Sequence, residues 1–220
     1  MQFHWFIMLC SMLPSQATAL GRMDQIMYPY YKADIAAGRI TDEQVIELFE
    51  CLRLKCMEQE CLFGVEGRKR ADGKAKWHTV TIGGVKRDGS DASNELTLHI
   101  LEALMRCPTT HHTISLRVAE STPDAVMKKA VQAQAMGLTM PAFVGDASYI
   151  KYFTDNGVPL EEARNYCISG CNDGVVPGLS LRISANMTVP LRTLQLWLND
   201  GVDERTGLRV APPSGDLDRF

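Results

Sequence analysis

The chain has 220 residues, 45% apolar and 22% charged, which is the composition of an ordinary globular protein able to bury a real core. A net charge of −3 leaves no basic patch for nucleic acid, and no apolar run is long enough for a membrane-spanning helix. Seven cysteines, an odd number in a chain of this length, read as free thiols in a reducing cytoplasm and exclude a disulfide scaffold.

Residues 1–20 imitate a secretory leader, with an apolar stretch followed by Ala17-Thr18-Ala19. No Lys or Arg precedes Arg22, however, where a leader's positive region belongs, so a buried amphipathic helix is expected instead. An aromatic-rich stretch then runs to Gly38. Thr41 with Gln44 forms a capping box that opens a helix, and Val45, Phe49, Leu52 and Cys56 mark its buried face. Cys51, Cys56 and Cys61 lie five apart, which walks around a helix and matches no metal-ligand spacing. Residues 64–76 form a polar loop.

A strand–helix rhythm follows. Thr79 to Ile82 alternate as a strand into Gly83-Gly84, and Ser93 is expected to cap a helix through Leu96, Ile100 and Ala103 that stops before Pro108. Ile114, Leu116 and Val118 alternate with Thr113, Ser115 and Arg117 in a second strand. Thr122 caps a helix with Pro123 in its first turn and Gly137 at its close. A short strand at 142–144 meets Asp146, the expected cap of a helix through Tyr149, Ile150 and Phe153 to Gly157. A further helix from Leu160 leads to one more strand at 167–170. Strands alternating with helices at this spacing give the fold class α/β with a largely parallel sheet. Cys171 then sits on a loop just beyond a strand end, where parallel sheets and barrels carry reactive groups.

The stretch NYCISGCNDG, residues 165–174, sets Cys171 between Gly170 and Gly174 with Asp173 two residues on. A thiol there could be a metal ligand, half of a redox pair with Cys167, a nucleophile, a radical carrier or a small buried side chain. Zinc needs two more ligands, and His4, His78, His99, His111 and His112 are scattered. The spacing C-x3-C is not that of the usual redox pair, and sequence places no histidine beside the thiol.

Six segments in order make the chain similar to the glycyl radical enzymes, the pyruvate formate-lyase-like superfamily: GRMDQIMYPYYKADIAAGRIT, TIGGVKRDGSDASNELTLHILEA, SLRVAESTP, GLTMPAFVGDASYI, ARNYCISGC and NDGVDERTGLRVAPPSGDLDRF. The resemblance covers nearly the whole chain. It implies a ten-stranded β/α barrel in which a loop cysteine, here Cys171, faces a glycine that stores a radical. The implied chemistry is hydrogen abstraction from a small organic substrate by a thiyl radical, with the residue two positions on serving as acid or base. That residue is glutamate in many members and Asp173 here. The acyl-transferring branch uses two adjacent cysteines, and Gly170 stands in place of the first, which favours an eliminating lyase, dehydratase or decarboxylase.

The same resemblance implies no bound metal or organic cofactor, a separate radical S-adenosylmethionine activating enzyme as partner, and a homodimer at full length. The family's glycyl motif is not matched: Arg117-Val118-Ala119-Glu120 and Arg209-Val210-Ala211-Pro212 carry Glu120 and Pro212 where glycine belongs. Residues 1–220 are therefore expected to be the central part of the barrel domain, with the glycyl radical domain outside the chain and no turnover by the piece alone. The alternatives are a degenerate, noncatalytic relative serving as an interaction protein and an acyl transferase of the formate acetyltransferase type.

Overall fold

The computed structural model describes residues 17–58, 77–109, 113–179 and 190–213. Two compact units divide the chain at Arg182/Ile183. The larger contains a four-stranded parallel sheet in the order β1 (Ala17–Arg22), β2 (Trp77–Gly83), β3 (Thr113–Val118) and β4 (Ala142–Gly145). Between these strands lie α1 (Met23–Ile26), α2 (Tyr28–Ala36), α3 (Asp42–Glu58), α4 (Glu95–Arg106) and α5 (Asp124–Ala135). After β4 come α6 (Asp146–Asp155), α7 (Leu160–Ala163) and a hairpin of β5 (Cys167–Ser169) and β6 (Asp173–Val175). The smaller unit holds α8 (Pro190–Leu198) and a turn closed by the Val202–Arg209 bridge and an Arg192–Asp203 ion pair.

Successive strand side chains point to opposite faces. Val80 and Ile82 of β2 and Ile114 and Leu116 of β3 therefore share one face, and they pack against Ile100, Leu101 and Leu104 of α4 and Val126, Ala130 and Ala133 of α5. Thr79, Thr81, Ser115 and Arg117 occupy the other face, all buried. Both faces of the central strands are covered, as expected of a parallel sheet, but the second face is polar.

Several local expectations hold. Thr41 and Gln44 form the capping box, with the Thr41 N–H donating to Gln44 Oε1 at 3.0 Å and the Gln44 N–H to Thr41 Oγ1 at 3.3 Å. Val45 and Cys56 are buried on α3, and Gly137 and Gly157 follow the ends of α5 and α6. Others shift. The expected helix at 1–20 is contradicted at its end, where Ala17–Arg22 pairs with β2; the remainder, like the loop at 64–76, Cys10 and Cys61, lies outside the described residues. Asn94, not Ser93, caps α4, because its side chain reaches the Leu96 and Thr97 N–H groups while Ser93 donates to Asp91. Thr122 accepts from the Ala119 N–H at 2.9 Å and leaves Pro123 as the cap of α5. Asp146 does not cap α6, since its carboxylate is taken by Arg117 and the Val85 N–H.

Candidate functional site

The last strand of the expected rhythm is not part of the parallel sheet. β5 pairs antiparallel with β6, with Cys167 opposite Val175 and Ser169 opposite Asp173, and the two strands close through a turn at Gly170, Cys171 and Asn172. The hairpin lies across β1 and β2 on the polar face. Thr81 Oγ1 accepts the Ile168 N–H at 2.9 Å, and the Thr79 hydroxyl donates to the Gly170 carbonyl at 2.6 Å. The threonines thus satisfy hairpin backbone groups that would otherwise be buried without partners. Cys171 is at the tip and exposed.

A buried ion pair holds the base of the hairpin. Arg117 Nε and Nη2 donate to Asp146 at 2.6 and 3.1 Å, while Nη1 and Nη2 reach the carbonyls of Tyr166 and Arg164 at 2.8 and 2.9 Å. The Arg117 guanidinium lies 3.9 Å from the Tyr166 ring centroid, and Tyr149 stacks on the same ring at 5.1 Å. Arg22 adds a second cation, donating to the Gly83 and Arg164 carbonyls at 3.1 and 3.3 Å. Burial, and then the neighbouring Arg117, lower its pKa to about 10. Asp24 accepts from the Gly83 N–H and the Thr97 hydroxyl, both at 2.7 Å, and burial raises its carboxyl above the usual range.

Around Cys171 the two glycines have different tasks. Gly170 has φ +65°, a backbone state that side chains with a Cβ disfavour. At Gly174 the constraint is space: a Cβ there would stand 2.8 Å from Tyr149 Cδ1 and 3.0 Å from Phe153 Cζ. The Tyr149 hydroxyl also donates to the Asn172 carbonyl at 2.6 Å. Burial, with Asp173 next, raises the Tyr149 phenol above its ordinary value, so Tyr149 stays a donor at neutral pH.

The two cysteines of the stretch are separated chemically. Cys167 is 2% exposed, and burial pushes its thiol up to about 11, which makes it a poor nucleophile and a poor ligand near neutrality. Among the described residues no group of three or more His, Cys, Asp and Glu side chains is placed to hold a metal ion. No described helix is long and apolar enough to cross a membrane.

Sequence reading placed Cys171 and Asp173 near each other, and the hairpin sets them two residues apart at its tip and the start of β6. Asp173 opens β6 opposite Ser169. Thr79, Tyr149 and Arg117 carry no motif of their own. For Thr79 and Arg117 the available signal was the polar residues at alternate positions of otherwise apolar strands, while Tyr149, on α6, gave none.

Comparison with known proteins gives a consistent result. The family model described as "Pyruvate formate lyase-like" matches residues 1–220. The 4-hydroxyphenylacetate decarboxylase glycyl radical subunit of Clostridioides difficile (strain CD196) is 36% identical, over 89% of this chain and 24% of that protein. The isethionate sulfite-lyase of Desulfovibrio desulfuricans is 32% identical, over 96% of this chain and 27% of that one. Among solved structures, a glycyl radical enzyme from Archaeoglobus fulgidus matches with a TM-score of 0.87 and 29% identity, over 96% of this chain and 28% of that one. The hydroxyproline dehydratase of Clostridioides difficile, solved with trans-4-hydroxy-L-proline, matches with a TM-score of 0.81 and 26% identity, over 91% and 26%. The chain spans about a quarter of the length of these relatives.

Proposed function

This chain belongs to the pyruvate formate lyase-like family, and on that premise we propose that it serves as the thiol-bearing segment of a glycyl radical lyase. The reading is supported above all by one observation: Cys171 is exposed at the tip of a hairpin whose turn is hydrogen-bonded from both sides, while the neighbouring Cys167 is buried.

In this reading Cys171 gives its S–H hydrogen atom to a glycyl Cα radical held on a separate segment of the same enzyme. The thiyl sulfur then takes a hydrogen atom from a substrate C–H bond, and the substrate radical expels a group or carbon dioxide. The S–H bond formed at Cys171 returns a hydrogen atom to the product radical. Gly170 before the thiol admits close approach of another backbone, as such a carrier requires. Asp173 moves a proton as the leaving group departs, and Gly170 leaves no second thiol for acyl transfer. The substrate is a small organic molecule of the kind acted on by a dehydratase, sulfite-lyase or decarboxylase. The radical is installed by a separate activating enzyme that uses S-adenosylmethionine, the full-length enzyme is a homodimer, and the cytoplasm supplies the reducing, oxygen-poor setting.

The test is Cys171→Ser in the activated full-length enzyme carrying this segment. Turnover is expected to vanish while the glycyl radical signal in electron paramagnetic resonance keeps its wild-type yield, because a serine O–H bond is too strong to join the transfer. Retained turnover would overturn the assignment. Asp173→Asn, nearly isosteric, is expected to lower kcat by about 10²–10⁴-fold, the usual worth of general acid–base assistance. A kcat within a few-fold of wild type would remove Asp173 from the proton transfer.

A further inference from the structure

The carbonyls of the two residues that flank Cys171, Gly170 and Asn172, each accept a short hydrogen bond from a side-chain hydroxyl of the surrounding scaffold. Before the thiol, the Gly170 carbonyl accepts from Thr79 at 2.6 Å; after it, the Asn172 carbonyl accepts from Tyr149 at 2.6 Å. The donors come from different elements. Thr79 is fully buried on β2, and Tyr149 is on α6, its ring stacked on Tyr166 with an interplanar angle of 7°. Tyr166 in turn lies over Arg117, whose ion pair with Asp146 is buried. Each donor is therefore held by packing before it meets the turn.

We propose that Thr79 and Tyr149 are positioning residues that together fix the orientation of the Cys171 thiol. The inference rests on the reading of Cys171 as the hydrogen-transferring group. Rotation of the Gly170–Cys171 or Cys171–Asn172 peptide plane would swing the Cβ–Sγ bond; Thr79 holds the first plane directly, and Tyr149 anchors Asn172, on which the second plane ends. Holding only one carbonyl leaves the turn free to pivot about the other. Neither hydroxyl bonds the thiol, so the pair acts through the backbone. The constraint on Gly174 belongs to the same device: any Cβ there would displace the Tyr149 ring and carry its hydroxyl away from Asn172.

Loss of a positioning contact lowers the fraction of time in which the reacting atoms are aligned, and an ångström of misplacement can cost about 10²-fold in rate. Thr79→Val and Tyr149→Phe each remove one hydroxyl while keeping the shape, the Tyr166 stack and the Gly174 contact. The experiment uses the activated full-length enzyme in D2O without substrate. Reversible transfer between the Cys171 S–D and the glycyl Cα washes deuterium into the glycine, and the hydrogen splitting of the radical signal collapses at a measurable rate.

Each single variant is expected to slow this wash-in and to lower kcat by about tenfold, with KM and radical yield near wild type. Thr79→Val also lowers the melting temperature, because it leaves a buried carbonyl without its donor, whereas Tyr149→Phe, whose bond is exposed, leaves it near wild type. Cys171→Ser run alongside separates the two claims. If it leaves wash-in intact, the reading of Cys171 fails and the proposal falls with it. If it blocks wash-in while Thr79→Val and Tyr149→Phe both exchange at the wild-type rate, the reading stands and the positioning proposal is overturned. A slowing matched by an equal loss of radical yield in both variants, or accompanied in Tyr149→Phe by a lowered melting temperature, would also overturn it, because the hydroxyls would then serve only the fold.

Discussion

The two faces of the parallel sheet are built from alternate residues of the same strands and do different work. The face toward α4 and α5 is a dry apolar layer of Val80, Ile82, Ile114 and Leu116 against helix side chains. The opposite face carries Thr79, Thr81, Ser115 and Arg117, buried just as deeply, and both threonines and the arginine bond to the hairpin and its approach. Apolar packing is non-directional and roughly proportional to the area removed from water. Hydrogen bonds are directional, and buried donors without partners are costly. Both faces thus contribute to stability, and the polar one also sets where the hairpin lies and how it is turned.

The sharpest way to break this contrast is to substitute neighbouring residues on β3. Arg117→Met leaves the Asp146 carboxylate buried without its cation, which costs about 3–5 kcal/mol in buried pairs. Urea unfolding should show that loss, together with exposure of the hairpin base to proteolysis near Arg164. Leu116→Ala, one residue away on the other face, should cost about 3 kcal/mol through the lost burial and the cavity, with the hairpin retained. Equal proteolytic protection in the two variants would erase the distinction between the faces.

A smaller effect sharpens it. The buried Cys167 thiol is raised from an ordinary 9.0 to about 11, so the folded state keeps this proton longer than the unfolded chain does. Its contribution is fully present below pH 9 and is lost as pH rises to about 11, by about 3 kcal/mol. Cys56, buried and pushed up to about 12, acts in the same direction, so the measurement is a difference. Unfolding free energies of wild type and Cys167→Ala should converge across this window; parallel curves would mean that Cys167 ionises freely when folded.

Much of the scaffold was legible because it is local. The capping box at Thr41 and Gln44, the alternation in β2 and β3, and the glycines after α5 and α6 are encoded within a few residues of one another. The misread caps share one physical cause. Asp146 is a good cap by residue type, but a buried arginine from a strand 29 residues earlier competes for its carboxylate and wins. The hairpin was mistaken for another parallel strand because three apolar-to-small residues look alike in either pairing, and only contact with Thr79 and Thr81, about 90 residues away, decides the matter. At the candidate site, Cys171 and Asp173 stood out through spacing and family likeness. Thr79 and Tyr149 did not, since a threonine in a strand and a tyrosine in a helix are commonplace until the fold brings both to one turn.

The central claim is that the two thiols of this stretch, four residues apart in sequence, have unlike roles: the one at the hairpin tip transfers hydrogen and the one at the base packs. The direct measurement is turnover of Cys171→Ser and Cys167→Ala in the activated full-length enzyme, normalised to the glycyl radical content of each preparation. The account predicts no turnover for the first at wild-type radical content, and turnover within a few-fold of wild type for the second. Activity in Cys171→Ser, with loss of activity in Cys167→Ala, would contradict it.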